Sequence, residues 1–124
     1  MLAFATAGVF VFLAAMHFYW AIAGVGGRSA AIPEIDGVPA FRPSKAATAA
    51  VGLALLGVAA IVLLEVKLLL ACAAGVLILR AIGDFRLVGF FKRMRGSKFA
   101  RMDTLLYSPL CLALGAALAA LAAS

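Results

Sequence analysis

Five polar side chains that could bind or move charge stand inside or beside otherwise apolar runs of this chain: His17, Arg80, Asp84, Asp103 and Tyr107. Arg80 is the sharpest signal. A charge placed in hydrocarbon costs at least about 2.5–3.5 kcal/mol on insertion scales, so this guanidinium must be paired, face other helices or line a wet cavity. Asp84, four residues on, shares its helix face and is the expected partner. Two readings of that pair stand side by side: mutual neutralisation with the Arg stem reaching toward headgroups, or a role in binding a ligand or passing an ion.

His17 has its own alternatives, a hydrogen-bonded buttress or a group that handles protons or ligands. Tyr19 and Trp20 beside it fit an interfacial aromatic belt or the wall of an apolar pocket. One histidine, with Cys72 and Cys111 far apart, does not make a metal centre within one chain, and a haem held by two histidines would need a second copy. No cofactor is assigned. Asp103 reads as the N-terminal cap of a helix, where a carboxylate accepts backbone N–H groups and complements the helix dipole. Tyr107 lies one turn further on. No nucleophile is positioned beside a base, so an enzyme working through His17 and Asp84 has the least support of the readings considered.

The elements that carry these groups follow from composition. The 124 residues are 67% hydrophobic and 13% charged, with mean hydropathy +1.18, where soluble domains carry about 25% charged residues. An all-α integral membrane four-helix bundle is predicted, as one transmembrane domain over residues 1–124, with helices at about 2–23, 45–64, 68–90 and 103–122. Each crossing needs about 20 apolar residues. Ser44 is placed to cap the second helix, Glu65 to Lys67 forms a minimal turn that makes helices two and three an antiparallel hairpin, and Pro109 should kink the fourth. The stretch from Arg28 to Ser44, with Pro33, Pro39 and Pro43, reads as a loop without regular structure, and the Gly24 to Gly27 run ends helix one.

Seven of the eleven basic residues (Arg80, Arg86, Lys92, Arg93, Arg95, Lys98, Arg101) fall between Arg80 and Pro109. The positive-inside rule then sets both basic loops in the cytoplasm and both termini outside. The basic loop between helices three and four is expected to face anionic lipid headgroups. The net charge of +6 does not indicate nucleic acid, because the chain has no soluble face for it. Small residues (Gly52, Gly57, Gly75, Gly115 and the alanines of helix four) suit close helix packing, and a homodimer surface is one use for them.

His17, with six residues between it and the glycines, sits roughly 9 Å from the inner end of its helix at 1.5 Å per residue. Arg80, Asp84, Asp103 and Tyr107 are expected at the same height. They would form with His17, Tyr19 and Trp20 one polar pocket at the cytoplasmic leaflet. The motifs His17-Phe18-Tyr19-Trp20, Arg80-Ala81-Ile82-Gly83-Asp84-Phe85-Arg86 through Lys92, and Asp103-Thr104 with Tyr107-Ser108-Pro109-Leu110 resemble a family of small bacterial four-helix membrane proteins classed as a domain of unknown function. That resemblance spans nearly the whole chain and implies a multi-pass location in a bacterial inner membrane without implying an activity. The expected function is binding or transport of a small anionic or amphipathic ligand. A non-catalytic accessory or scaffold subunit of a larger membrane complex is the alternative, and co-purification of a stoichiometric partner separates the two.

Overall fold

Long runs of Ala, Leu and Val without proline leave the backbone no better solution in an apolar setting than to satisfy its own N–H and C=O groups in helices. The computed structural model describes residues 1–23, 32, 34–35, 38–39, 44–83, 88–93, 95 and 97–124. Helix α1 is Leu2–Ala23, α2 is Lys45–Leu64 and α3 is Lys67–Ile82. Helix α4, Lys98–Ala123, contains a π-helical turn at Asp103–Tyr107. The glycine run 24–27, with Arg28, Pro33, Arg42 and Pro43, lies outside the described residues.

Three of these helices, α1, α2 and α4, are long and apolar enough to cross a membrane. The outward-facing side chains agree. Phe4, Phe12, Leu53, Leu68, Val76, Leu79 and Leu105 are each more than 60% exposed, and helices that are apolar on the outside as well as the inside belong in lipid. The chain is a helical protein with the surface of a membrane protein. Its third helix is shorter than the sequence suggests: α3 stops at Ile82 rather than running to Phe90, because Gly83 takes φ 91° and ψ −174°, a conformation open to glycine alone. The 28–44 stretch is also not wholly irregular, since Glu34–Ile35 (β1) pairs antiparallel with Val38–Pro39 (β2).

Ser44 caps α2 by accepting the Ala47 N–H at 3.0 Å. At the other end Glu65 adopts φ 55°, which turns the chain within two residues into α3. That hairpin is tight, yet α2 and α3 touch only slightly. α1 packs chiefly on α2, and α3 on the Ser108–Ala123 part of α4. Glycine explains which seams close. A Cβ on Gly52 would meet the Phe18 ring at 3.0 Å, and one on Gly115 would meet Ile78 at 2.8 Å and the Ala74 carbonyl at 3.3 Å. Gly57 and Gly75 have nothing within 4 Å, so they contribute no such contact. Gly115→Val is therefore expected to cost about 1–3 kcal/mol through overpacking. Gly75→Ala should instead gain up to about 1 kcal/mol of helix propensity; thermal unfolding in detergent separates the two.

All four helices meet in one core of Ala7, Phe10, Ala59, Val62, Leu70, Ala74, Leu114 and Leu118. This core joins the first half of α1 to the start of α3 and the end of α4. The second half of α1, with His17, therefore points to the end where α3 finishes and α4 begins.

Candidate functional site

At that end the chain must leave α3, turn and enter α4 without stranding backbone polar groups. Gly83 begins the turn and Gly89, at φ 89°, continues it. The two glycines press together so closely that a Cβ on Gly83 would lie 1.8 Å from the Val88 carbonyl oxygen and 2.6 Å from the Gly89 Cα. The freed groups find partners. The Gly83 N–H donates to Leu79 O at 2.8 Å and the Phe90 N–H to Ala81 O at 2.8 Å.

Helix α4 starts five residues before the expected position, with Ser97 as its cap accepting the Ala100 N–H at 3.0 Å. Asp103 consequently does not cap the helix. It lies inside it, fully buried, at the first position of the π turn. The wider turn comes just before Pro109, which has no N–H to give an α-helical ladder, and the Ser108 N–H reaches back five residues to Asp103 O. Side chains five apart do not face one another on an α-helix. Here they do, and Ser108 Oγ donates to Asp103 Oδ1 at 3.1 Å.

Asp103 gathers the whole end of the bundle. Its Oδ1 also accepts from Arg80 Nη2 at 2.9 Å, and its Oδ2 accepts the Gly89 N–H at 2.7 Å and faces Lys92 Nζ at 3.1 Å. Four donors from three segments fill the carboxylate. Lys92, read from sequence as part of the basic rim, is in fact buried. Besides Asp103, its ammonium donates to Gly89 O at 3.1 Å and to Thr104 Oγ1, which spends all three of its N–H bonds. Among the described residues the cluster holds two cations to one carboxylate.

Arg80 is the member with capacity left. Its partner is Asp103, 23 residues away, rather than a neighbour on its own helix; Asp84 lies outside the described residues. The Arg80 side chain is 31% exposed, while its Nη1 atom is buried with no hydrogen-bond partner among the described residues. Tyr107 stacks obliquely on Phe99 with ring centres 5.7 Å apart and lies within reach of the Asp103 charge. Around this cluster Arg93, Arg95, Lys98 and Arg101 are exposed.

His17 is placed toward the same end but is not joined to the cluster. Its Nδ1 lies 2.7 Å from the Leu13 carbonyl oxygen of its own helix, so in the neutral ring Nδ1 carries the proton and Nε2 is the acceptor. Trp20 meets the ring edge-on, 5.2 Å between centres. Tyr19 and Trp20, with Phe12, Ala15 and Met16, line an open groove of about 420 Å³ along the outer face of α1. No hydrogen bond or ion pair among the described residues links His17 to Arg80 or Asp103. The seven residues expected in one pocket thus fall into an α1 group, an Arg80–Asp103–Tyr107 group, and Asp84 outside the description.

Sequence reasoning missed Lys92, Gly89, Thr104 and Ser108 as parts of one cluster. A signal was available in Gly83 and Gly89, two glycines that bracket a five-residue stretch holding both an acid and a base, and in a proline two residues past Tyr107.

A helical protein that carries membrane-type surfaces and ties two helix ends around one buried carboxylate is the class these features define. The chain matches over residues 10–118 the family described as "Protein of unknown function (DUF3995)", and it belongs to that family. No curated protein and no solved structure matches it.

Proposed function

We propose that this is a four-helix protein of a bacterial inner membrane, with the Arg80–Asp103 end in the cytoplasmic leaflet, and that it binds or transports a small anionic or amphipathic ligand there. The orientation rests on the positive-inside rule, since the exposed Arg93, Arg95, Lys98 and Arg101 all belong to this end. The observation that carries the ligand class is the guanidinium of Arg80, a side chain 31% exposed whose Nη1 has no hydrogen-bond partner among the described residues, next to a carboxylate that already has all its donors. A guanidinium presents its N–H groups as a planar fork matched to oxyanions. One arm of this fork is bonded to Asp103, and the other is buried without a hydrogen-bond partner among the described residues. His17, Tyr19 and Trp20 stand at the same end of the bundle and would meet the apolar part of an amphipathic ligand.

The test is ligand retention by the purified protein, read by native mass spectrometry against a panel of anionic amphiphiles: oleate, dodecyl sulfate, phosphatidic acid and phosphatidylglycerol. Arg80→Gln should weaken binding of at least one member by roughly 10- to 100-fold, the worth of a charged hydrogen bond of about 1.5–3 kcal/mol. Arg80→Lys keeps a cation for Asp103 and lacks the second arm, which separates loss of binding from loss of fold. Equal retention of every panel member by wild type and both variants would exclude the reading.

A further inference from the structure

We infer that the protein works as two arms, α1 with α2 and α3 with α4, which pivot about the Glu65–Val66 turn and part at the far end, where α3 finishes and α4 begins. The inference goes beyond the ligand reading and does not depend on it. Three observations lead to it.

The first is connectivity. The chain joins α1 to α2 and α3 to α4 at the far end, and it passes from one arm to the other only once, through Glu65 and Val66. There the Glu65 N–H donates to Val62 O and the Val66 N–H to Ile61 O, both at 3.3 Å, and the Leu70 N–H already bonds Val66 O at 2.9 Å. α2 therefore ends and α3 begins around one residue of positive φ. A short link at one end of two long bodies is the layout of a hinge, in which a few residues at element ends absorb the change in φ and ψ.

The second is where the shared core stops. The buried cluster and the side chains packed on it reach no further from the turn than Leu13 of α1, Leu55 of α2, Leu77 of α3 and Leu110 of α4. Each lies at or just past the middle of its helix. Beyond that level the first two turns of α4, through the π turn at Asp103–Tyr107, pack on their own helix and hardly approach α1 or α2.

The third is how each arm is closed. In one, Phe18 lies against Gly52, where a Cβ would meet its ring at 3.0 Å. In the other, Gly115 lies as close to Ile78 and the Ala74 carbonyl, and polar groups tie both ends. Lys67 Nζ donates to Leu121 O at 2.9 Å and to Ser124 Oγ at 3.2 Å near the turn, and Arg80 and Lys92 hold Asp103 at the far end. Among the described residues no hydrogen bond or ion pair runs from one arm to the other beyond the turn itself. Lipid tails are as apolar as leucine, so helices in a bilayer are held by close backbone approach and hydrogen bonds. The seam between the arms has neither in its far half, and the regions of a fold with fewest such contacts open first.

The lever is long. α2 has 20 residues, which at 1.5 Å each carries its far end about 30 Å from the turn, so a rotation of about 10° moves that end by about 5 Å.

The experiment measures spin-label distances on the intact chain in nanodiscs, without added ligand, so its outcome does not bear on the ligand reading. Native thiols are removed by Cys72→Ala with Cys111→Ala, or with Cys111→Ser should the first background fail to fold. Four cysteine pairs are placed at exposed positions: Ala47→Cys with Leu105→Cys across the seam at the far end, Leu64→Cys with Ala120→Cys across it near the turn, and Ile22→Cys with Ala47→Cys and Leu79→Cys with Leu105→Cys within the arms. The first pair should give a distribution at least twice as wide as the other three, extended by about 5 Å or more. A far-end distribution as narrow as the within-arm pairs overturns the inference, because the four helices then form one fixed bundle. Within-arm distributions as broad as the first overturn the arms as units, and equal breadth near the turn overturns the pivot.

Discussion

Asp103→Ala should destabilise the protein by about 3–5 kcal/mol, the range for removing one partner of a buried ion pair. The reason lies with what remains behind. Lys92 has a fully buried side chain, and without the carboxylate its ammonium keeps only the Gly89 carbonyl and the Thr104 hydroxyl. The Gly89 N–H would also lose its acceptor, and a buried unsatisfied donor costs a further 1–3 kcal/mol or so. Arg80, with 31% of its side chain exposed, can relax toward headgroups or water, so Arg80→Gln is the milder change. Replacing both members by apolar residues, Lys92→Met with Asp103→Leu, should recover part of the loss, because the fully buried ammonium is then gone and the one cation left without its carboxylate is the partly exposed Arg80. The apparent unfolding midpoint in detergent, wild type against the single and double variants, reads the order. A single variant as stable as wild type would mean that the cluster does not hold this end together.

The second large effect is expected at Gly83. Its φ of 91° with ψ −174° is a region that costs other residues about 1–3 kcal/mol before any contact is considered. The contact is worse than the torsion, since an added Cβ would fall 1.8 Å from the Val88 carbonyl oxygen. Backbone cannot swing aside as a side chain can. Gly83→Ala should therefore undock the 88–92 stretch from Ala81 and Asp103, while the core around Phe10, Val62, Leu70 and Leu118 persists. Hydrogen exchange shows this directly: the Phe90 amide, bonded to Ala81 O, should lose protection while amides near Leu118 keep theirs. Gly57→Ala, in open space, is the control and should leave both unchanged.

Much of the fold could be read from hydropathy, because the bodies of α1 and α2 are bounded by glycine, serine and charge. The end of α3 could not. The apolar residues Val88, Phe90 and Phe91 continue the pattern past Gly83, and hydropathy averages over a backbone reversal that only a positive φ reveals. The start of α4 was obscured for the opposite reason: Lys98 and Arg101 look like loop, although Ser97 supplies a regular cap. Partner choice was harder still. Local spacing favours Asp84 for Arg80, and nothing in a single sequence says that a carboxylate 23 positions away will be brought to 2.9 Å. Lys92 shows the limit from the other side. Among so many cations no composition rule selects the one that is buried, since burial depends on a carboxylate and a carbonyl brought to it by tertiary structure.

The π turn in α4 has a consequence for how that helix meets α3. Asp103 must face Arg80 while Gly115 faces Ile78, and at about 100° per residue an unbroken α-helix would set those two positions roughly 120° apart around the axis. One surplus residue, which is what a single π turn inserts, takes back about one step and leaves them within roughly 20–30° of each other. The same local widening that accommodates a proline thus lets one stripe of α4 carry both the ionic latch and the glycine seam, and a helix of uninterrupted α geometry could offer α3 only one of them.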